Sequence, residues 1–356
     1  MKNNLKKFFS HKIVKVICII LALWLAVVCI CNAVFANIAL KQQKGLAVCY
    51  EWSEDDVFDE SKIQTIDMGT DKFKILCLTD VHIRNYATFG SSWLGTNFIL
   101  DGMSRIQLKQ LINEQKPDLI TVGGDTVLTA WNDICTQQFC DFMEGFEIPW
   151  APVFGNHDYE GRADKAKLAE IYENSKHCLF QSGPSDMGGM GNYAVNLTRG
   201  NDIVYTLFMF DDGQFRVTDG EISDGGINEN QIKWFNQTVK GISDMAGKTV
   251  PSMAFMHVPV PEYLNQEDDF TAGQRGEGTC TARENEGFFT DFKSAGGTHI
   301  FAGHDHNNNF LSEYDGVQLN YMTKSSYNCY FDFKALGGTV IEFDKDNTPT
   351  VSIAEF

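Results

Sequence analysis

The chain has 356 residues, of which 43% are hydrophobic and 12% aromatic, so it can form a substantial core and is not disordered as a whole. Its net charge of −18 is unevenly distributed, because residues 1–44 contain seven lysines and no acidic residue. The remaining 312 residues carry 22 of the 29 basic side chains and all 47 acidic ones, a net charge of −25. Such an acidic domain repels phosphate backbones, which argues against a nucleic-acid-binding protein.

An N-terminal segment, residues 16–40, contains no charged side chain. About 20 apolar helical residues are enough to cross the hydrocarbon core of a membrane. Five lysines precede the segment, which places residues 1–15 in the cytoplasm as a basic tail and the chain beyond residue 40 outside. The sequence therefore predicts a single-pass membrane anchor. A signal peptide cleaved after Ala36 is the alternative, and it would release the exported domain.

The predicted elements begin with a polar, acidic linker and a first strand within residues 41–70, and one domain follows over residues 71–356. Strands and amphipathic helices then alternate, which favours helices packed over a parallel or mixed sheet. The predicted strands of this half are residues 73–79, 118–122 and 150–154, and the predicted helices are residues 104–115, 131–143 and 162–173.

The second half of the domain is richer in strands. A hairpin is predicted at residues 193–197 and 203–210, followed by a helix at residues 229–242. Further strands are predicted at residues 253–257, 298–301, 317–321, 338–343 and 350–353. The whole pattern indicates an α/β (α+β) fold, a four-layer αββα sandwich of two facing mixed sheets. No CxxC motif occurs and Cys77 lies in an apolar strand pattern, so we expect no disulfide framework.

Five apolar segments each end at side chains that bind metals. These ends are Asp80-Val81-His82, Gly124-Asp125, Gly155-Asn156-His157-Asp158, Met256-His257 and Gly303-His304-Asp305-His306. Strand ends meet at one edge of a sheet, so we expect these side chains to converge. Carboxylate and imidazole ligands suit Mn, Fe or Zn, and one carboxylate can bridge two ions about 3.5–4 Å apart.

The ordered motifs DxH, GGD, GNHD, H and GHDH resemble those of the calcineurin-like metallophosphoesterase superfamily. Residues 257–263, 277–279 and 285–289 resemble the branch related to purple acid phosphatases. The resemblance implies two divalent or trivalent metal ions held by Asp80, His82, Asp125, Asn156, His257, His304 and His306, with Asp125 as the bridge. It also implies that His157 protonates the leaving group and that Asp158 holds His157.

The function implied by this resemblance is hydrolysis of small phosphomonoesters outside the cytoplasm, by attack of a metal-bridging hydroxide. A phosphodiesterase or pyrophosphohydrolase acting on nucleotides, lipid headgroups or cell-wall phosphates would use the same two metals. A non-catalytic metal-binding scaffold is a third hypothesis. Purple acid phosphatases carry a tyrosine ligand three residues after the bridging aspartate. Leu128 occupies that position here, so we expect no tyrosinate-to-iron colour.

Overall fold

The computed structural model describes residues 14–24, 26, 49–56, 58–84, 97–213, 216–218, 221–223, 225–282 and 286–356. Within the predicted membrane segment, residues 16–24 and 26 are helical, while the rest of that segment, Ala36 included, lies outside the described residues. No helix among the described residues has both the length and the apolar character needed to cross a membrane.

One mixed sheet contains five strands. They are β2 (Phe73–Leu78), β3 (Leu119–Gly123), β4 (Trp150–Val153), β13 (Gly337–Phe343) and β14 (Pro349–Glu355). The spatial order is β14-β13-β2-β3-β4, with β2, β3 and β4 parallel and β13 antiparallel to both of its neighbours. Helices α1 (Asn97–Gln115) and α2 (Asn132–Glu144) connect the parallel strands, and α3 (Lys165–Glu173) follows β4. The predicted alternation of strands and helices is confirmed.

The second mixed sheet contains seven strands. They are β1 (Gln64–Asp67), β5 (Tyr193–Arg199), β6 (Asp202–Met209), β9 (Ser252–Phe255), β10 (Gly297–Ala302), β11 (Leu311–Tyr314) and β12 (Val317–Tyr321). Their order is β1-β5-β6-β9-β10-β12-β11, and the β5–β6 and β11–β12 pairs are antiparallel. The sequence between β6 and β9 contains a small hairpin, β7 (Arg216–Thr218) and β8 (Glu221–Ser223), and the helix α4 (Glu229–Ala246). Helix α5 (Phe288–Ser294) precedes β10.

Aromatic contacts show that the two sheets face each other. The Tyr205 ring of β6 lies 5.1 Å from the Phe343 ring of β13, and the Tyr193 hydroxyl donates to the carbonyl of Pro152 in β4 at 2.7 Å.

Helices cover the outer face of each sheet. Trp150 of β4 packs edge-on against Phe139 of α2, with ring centroids 5.7 Å apart. On the other side, Phe208 of β6 packs against Phe235 of α4 with ring centroids 4.7 Å apart. The molecule therefore has the predicted αββα layers.

Several elements differ from the sequence prediction. Helix α1 begins at Asn97 rather than at residue 104, and β7, β8, β11 and α5 were not predicted. These elements are three to seven residues long, so periodicity gives little information about them. The described part of the acidic linker packs on α4: the Trp52 indole donates to Gln237 Oε1 at 2.5 Å, and Glu54 pairs with Lys233 at 2.7 Å.

Candidate metal centre

The candidate site lies at the carboxyl ends of parallel strands from both sheets. The loops after β2, β3 and β4 carry Asp80, His82, Asp125 and Asn156, and the loops after β9 and β10 carry His257, His304 and His306. Because the two sheets face each other, residues more than 200 positions apart meet at this edge. The predicted convergence of strand ends is therefore confirmed for both sheets.

A first group of donors consists of two carboxylates and two imidazoles. The Nε2 atoms of His82 and His306 are 3.0 Å apart, and His306 Nε2 lies 3.2 Å from Asp80 Oδ1. His82 Nε2 lies 3.6 Å from the same oxygen and 3.7 Å from Asp125 Oδ2. One ligand atom from each of the four residues lies within 4.8 Å of the others. Two imidazole nitrogens at 3.0 Å repel each other unless one carries a proton or a cation lies between the donors, so the group has the composition and spacing of a metal site.

Asp125 connects this group to a second one. Its Oδ2 atom lies 3.3 Å from His257 Nε2 and 3.7 Å from His82 Nε2, so one oxygen faces a ligand from each group. The His304 ring lies 5.3 Å from the His257 ring. Asn156 is buried, and its neighbour His157 donates a backbone N–H to Asp125 Oδ1 at 2.8 Å. Asp125 therefore lies between the two donor groups, where the family resemblance implies a bridging carboxylate.

Backbone carbonyls set the tautomer of two of the histidines. His257 Nδ1 lies 2.7 Å from the carbonyl oxygen of Gly123, and His306 Nδ1 lies 2.9 Å from that of Tyr330. A carbonyl oxygen only accepts, so both rings carry a proton on Nδ1 and direct Nε2 towards the site. Outer partners of this kind orient metal-binding histidines and raise their basicity.

Buried atoms without hydrogen bonds test whether the donors suit metal ions. Within the part of the chain that the structure describes, four such atoms belong to the predicted ligands: Asp80 Oδ1, His82 Nδ1, Asn156 Oδ1 and His257 Nε2. Leaving a polar atom buried and unsatisfied costs about 1–3 kcal/mol. Metal ions would satisfy three of these four atoms, namely Asp80 Oδ1, Asn156 Oδ1 and His257 Nε2. These residues therefore fit a pair of bound metals.

The backbone at the site is strained at four of the seven predicted ligands. Asp80, His82, Asp125 and His304 have φ angles of 53°, 47°, 50° and 75°. A non-glycine residue in this region costs about 1–2 kcal/mol. The left-handed backbone conformation at Asp80 and His82 sets the direction in which their side chains point. These two residues therefore do not follow the alternating side-chain directions of an extended strand.

Glycines make room for the carboxylates at two points. A Cβ atom on Gly155 would lie 2.2 Å from Asp125 Oδ1, and one on Gly303 would lie 2.8 Å from Asp80 Oδ2. Neither glycine has a positive φ. Both glycines therefore permit close approach of the backbone to a predicted ligand.

The charge states of Asp80, Asp125 and His82 suit metal binding. Burial raises the pKa of Asp80, but the hydrogen bond and charge of His306, together with a hydrogen bond from His82, outweigh burial and hold that pKa well below its usual range. Burial also raises the pKa of Asp125, but other effects, chiefly the charge of His257, outweigh burial and lower the pKa of Asp125. Burial, followed by the charge of Lys324, lowers the pKa of His82 to about 3. The carboxylates are ionised and His82 is neutral, as ligands must be. At His257, burial lowers the pKa, but the charge of Asp125 outweighs burial and raises the pKa to about 9, so a metal ion would have to displace the proton on Nε2.

His157 lies at the edge of the cluster and is partly exposed. Its ring is 5.7 Å from that of His82, and its side chain is 34% exposed. Its Nδ1 atom lies 2.8 Å from Glu160 Oε2. Burial lowers the pKa of His157, but the hydrogen bond to Glu160 and the charge of Asp125 outweigh burial and raise it. His157 therefore lies at the open edge of the donor cluster, with a pKa that favours its protonated form.

The predicted contact between Asp158 and His157 is wrong. The Asp158 carboxylate is buried and accepts from the backbone N–H groups of Val127 and Gly155 at 3.0 and 2.7 Å. Burial, followed by the charge of Asp125, raises the pKa of Asp158 to about 7. Asp158 ties the loop after β3 to the loop after β4 and so positions the ligands, while Glu160 holds His157.

Sequence reasoning missed three residues that support the site. Asp212 accepts from the backbone N–H groups of His257 and Val258 at 2.9 and 3.0 Å, and Lys324 donates to the carbonyl oxygen of Asp80 at 2.7 Å. The third is Glu160. Asp211-Asp212 directly follows an apolar strand, the same pattern that identified the ligands, so this pair was detectable. Nothing local in the sequence marks Lys324.

Tyr159 follows the Asn156-His157-Asp158 motif directly in sequence. The Tyr159 hydroxyl donates to the Gly213 carbonyl oxygen at 2.5 Å. This hydrogen bond orients the Tyr159 ring within the loop after β4, which also carries Asn156. Arg283 and Asn285 lie outside the described residues. Leu128, at the position of the purple enzymes' tyrosine ligand, donates its backbone N–H to Ile83 and contributes no oxygen donor from its side chain.

Comparison with known proteins agrees with this geometry. A family model described as Calcineurin-like phosphoesterase matches residues 73–308, a range that contains all seven predicted ligands. The chain is 28% identical over 317 residues to "Probable inactive purple acid phosphatase 14" of Arabidopsis thaliana, covering 80% of this chain and 78% of that protein. It is 29% identical over 282 residues to "Phosphatase DCR2" of Saccharomyces cerevisiae, covering 72% of this chain and 47% of the yeast protein.

Among solved structures, a dimetal phosphatase from Danio rerio matches with a TM-score of 0.49 and 13% identity, covering 79% of this chain and 98% of that one. The relatives' names confirm the predicted relation to purple acid phosphatases.

Proposed function

Because the chain belongs to the calcineurin-like phosphoesterase family, we propose that it uses two metal ions to hydrolyse small phosphomonoesters. The observation that supports this most is the placement of Asp125 between His82 and His257, with His157 at the open edge. The Arabidopsis and yeast relatives are both named as phosphatases, which supports a phosphomonoester as the substrate.

The metal ions, when bound by the seven ligands, would neutralise phosphate charge and lower the pKa of water. The protein residues supply the remaining functions. Asp80, with His304 donating its backbone N–H to Oδ2 at 3.1 Å, holds the loops of the two sheets together. Asp212 fixes the backbone of His257 from the opposite side. Ligands held this tightly need little reorganisation during the reaction.

His157 would donate a proton from Nε2 to the leaving alkoxide. Its Nδ1 proton points to Glu160, which leaves Nε2 as the reactive nitrogen and stabilises the protonated ring. The raised pKa of His157 keeps that ring protonated at neutral pH more often than an ordinary histidine. This proton transfer matters most for alcohols that are poor leaving groups.

Substitution of Glu160 by glutamine is expected to slow hydrolysis of alkyl phosphates by about tenfold, below the 10²–10⁴-fold effect of general acid catalysis itself, because it weakens the orientation and charge of His157. Metal content should be unchanged. The measurement is kcat/KM on alkyl and aryl phosphates, with Glu170→Gln, an exposed partner of Lys167, as control. An equal loss on both substrates would show that Glu160 does not act through proton donation.

The metal ions are proposed to be Mn, Fe or Zn, since the seven ligands are oxygens and imidazole nitrogens. Leu128 supplies no phenolate, so an iron-loaded protein should lack the absorption band of a tyrosinate ligand. An absorption spectrum after iron loading tests this point, and a tyrosinate band would contradict the ligand set.

Activity itself is part of the proposal, because the Arabidopsis relative is named as probably inactive. The full chain, purified in detergent and supplied in turn with Mn, Fe and Zn, should hydrolyse an aryl phosphomonoester faster than the matching diester. A preference for the diester would favour the phosphodiesterase hypothesis. No turnover with any of the three metals would favour a metal-binding scaffold.

We further propose that residues 16–40 anchor the protein in the cell membrane with its N-terminus in the cytoplasm. Support comes from the uncharged 25-residue segment, the lysines before it, and the exposed apolar side chains of the helical residues 14–24. Protease added to intact cells should therefore degrade the large domain, while a cytoplasmic marker protein survives. Protection of the domain would reverse the topology, and its recovery in the medium would favour cleavage after Ala36.

A further inference from the structure

An exposed thiol lies beside the first donor group. Ligand atoms of His82, His306 and Cys329 all lie within 4.8 Å of one another. Cys329 is exposed, whereas His82 and His306 are buried, so the sulfur lies on the solvent side of the two imidazoles. Bond lengths of about 2.0–2.1 Å for Zn–N and 2.3 Å for Zn–S limit the separation of two donors to about 4.4 Å. Because the three atoms lie within 4.8 Å of one another, the sulfur needs to move by at most a few tenths of an ångström to meet this limit.

The neighbours of Cys329 tie it to the first donor group. The Asn328 side chain donates to the Val81 carbonyl oxygen at 3.2 Å, inside the Asp80-Val81-His82 motif. On the other side, the Tyr330 carbonyl oxygen accepts from His306 Nδ1, and the Tyr330 ring stacks on the His306 ring with centroids 4.1 Å apart. Cys329 itself has a φ of 63°. The segment is therefore held in a strained turn that faces the two histidines.

Two cationic side chains, Arg84 and Lys324, lie close enough to Cys329 to interact with it. Burial lowers the pKa values of Arg84 and Lys324. The interaction of each with Cys329 opposes that effect. Both cations are buried. The thiolate is the form of cysteine that binds metals.

We propose that the Cys329 sulfur is an additional ligand of the metal held by Asp80, His82 and His306. The thiol releases its proton to solvent when the sulfur binds, and no oxidant or reductant is needed. A thiolate selects thiophilic metals such as Zn²⁺ over Mn²⁺, so Cys329 determines metal preference at the first position. The proposal rests on the proposed function only in that the same residues hold a metal.

The test is an absorption spectrum of the cobalt-substituted full chain, with bound cobalt measured on the same sample. Wild-type protein should show an intense sulfur-to-cobalt charge-transfer band in the near ultraviolet, and Cys329→Ser should lose it. Cys280→Ser is the matched control, because Cys280 is the exposed cysteine that shares a cluster with His304 and Asp305. That variant should keep the band. Zinc affinity should fall at least about tenfold in Cys329→Ser, with manganese affinity nearly unchanged.

A measurement on the wild-type protein keeps the test valid if Cys329→Ser fails to fold. Alkylation of Cys329 by iodoacetamide, followed by peptide mass spectrometry, should slow at least about tenfold on zinc loading, since a metal-bound sulfur is a weak nucleophile. Bound cobalt without a band, a band that survives in Cys329→Ser, or unchanged alkylation would overturn the proposal and leave the proposed function intact. Failure to bind any cobalt would overturn both.

Discussion

Replacing Asp125 by asparagine is expected to remove bound metal and activity together. The substitution preserves the shape of the side chain but removes its charge and one ligand oxygen. Asp125 Oδ2 is the atom that faces both His82 and His257, so both donor groups lose the same oxygen. Loss of an outer partner costs about 10–100-fold in metal affinity or activity, and loss of a direct ligand should exceed that range.

Metal analysis and kcat/KM on an aryl phosphomonoester check this expectation. The matched control is Asp141→Asn, which makes the same change of charge at an exposed position on α2. The control should retain full metal content and activity. Two metals per chain with unchanged activity in Asp125→Asn would remove Asp125 from the bridging role.

Replacing His157 by alanine is expected to leave both metals bound and to slow hydrolysis of alkyl phosphates by about 10²–10⁴-fold. The seven predicted ligands do not include His157, and its ring lies 5.7 Å from that of His82. Aryl phosphates should be affected much less, because a phenolate leaves without help from an acid.

The control for this variant is His177→Ala, which disrupts a similar histidine–glutamate pair away from the site, with His177 Nδ1 and Glu144 Oε2 2.7 Å apart. Kinetics on a series of leaving groups, together with metal analysis, decide the outcome. Loss of metal in His157→Ala would mean that this side chain is a ligand and not a proton donor.

Much of the fold follows from local sequence patterns. The strands β2, β3 and β4 and the helices between them were predicted because their periodicities differ clearly and their lengths are ordinary. Segments such as β11, with four residues, and α5, with seven, depend on tertiary packing: the α5 residues Phe288 and Phe292 are buried against α4. Local patterns cannot reveal elements whose stability comes from distant partners.

The convergence of the seven predicted ligands was predictable because each of them follows an apolar strand, while the choice of these seven side chains as ligands came from the family resemblance. The supporting contacts of the site were not predictable, since they join residues far apart in sequence: Lys324 reaches the Asp80 carbonyl oxygen across 244 positions. The role of Asp158 was predicted wrongly for a related reason. Adjacent residues in the loop after β4 point in different directions, so Asp158 turns to the backbone of Val127 while His157 meets Glu160.

The central claim is that one buried cluster holds two metal ions and that both are needed for phosphoester hydrolysis. The most direct measurement titrates metal-depleted full-length protein with Zn or Mn while bound metal and aryl phosphate hydrolysis are followed together. Activity should rise until two ions are bound per chain and then level off. Saturation at one ion, or binding of two ions without hydrolysis of monoester or diester, would contradict the account.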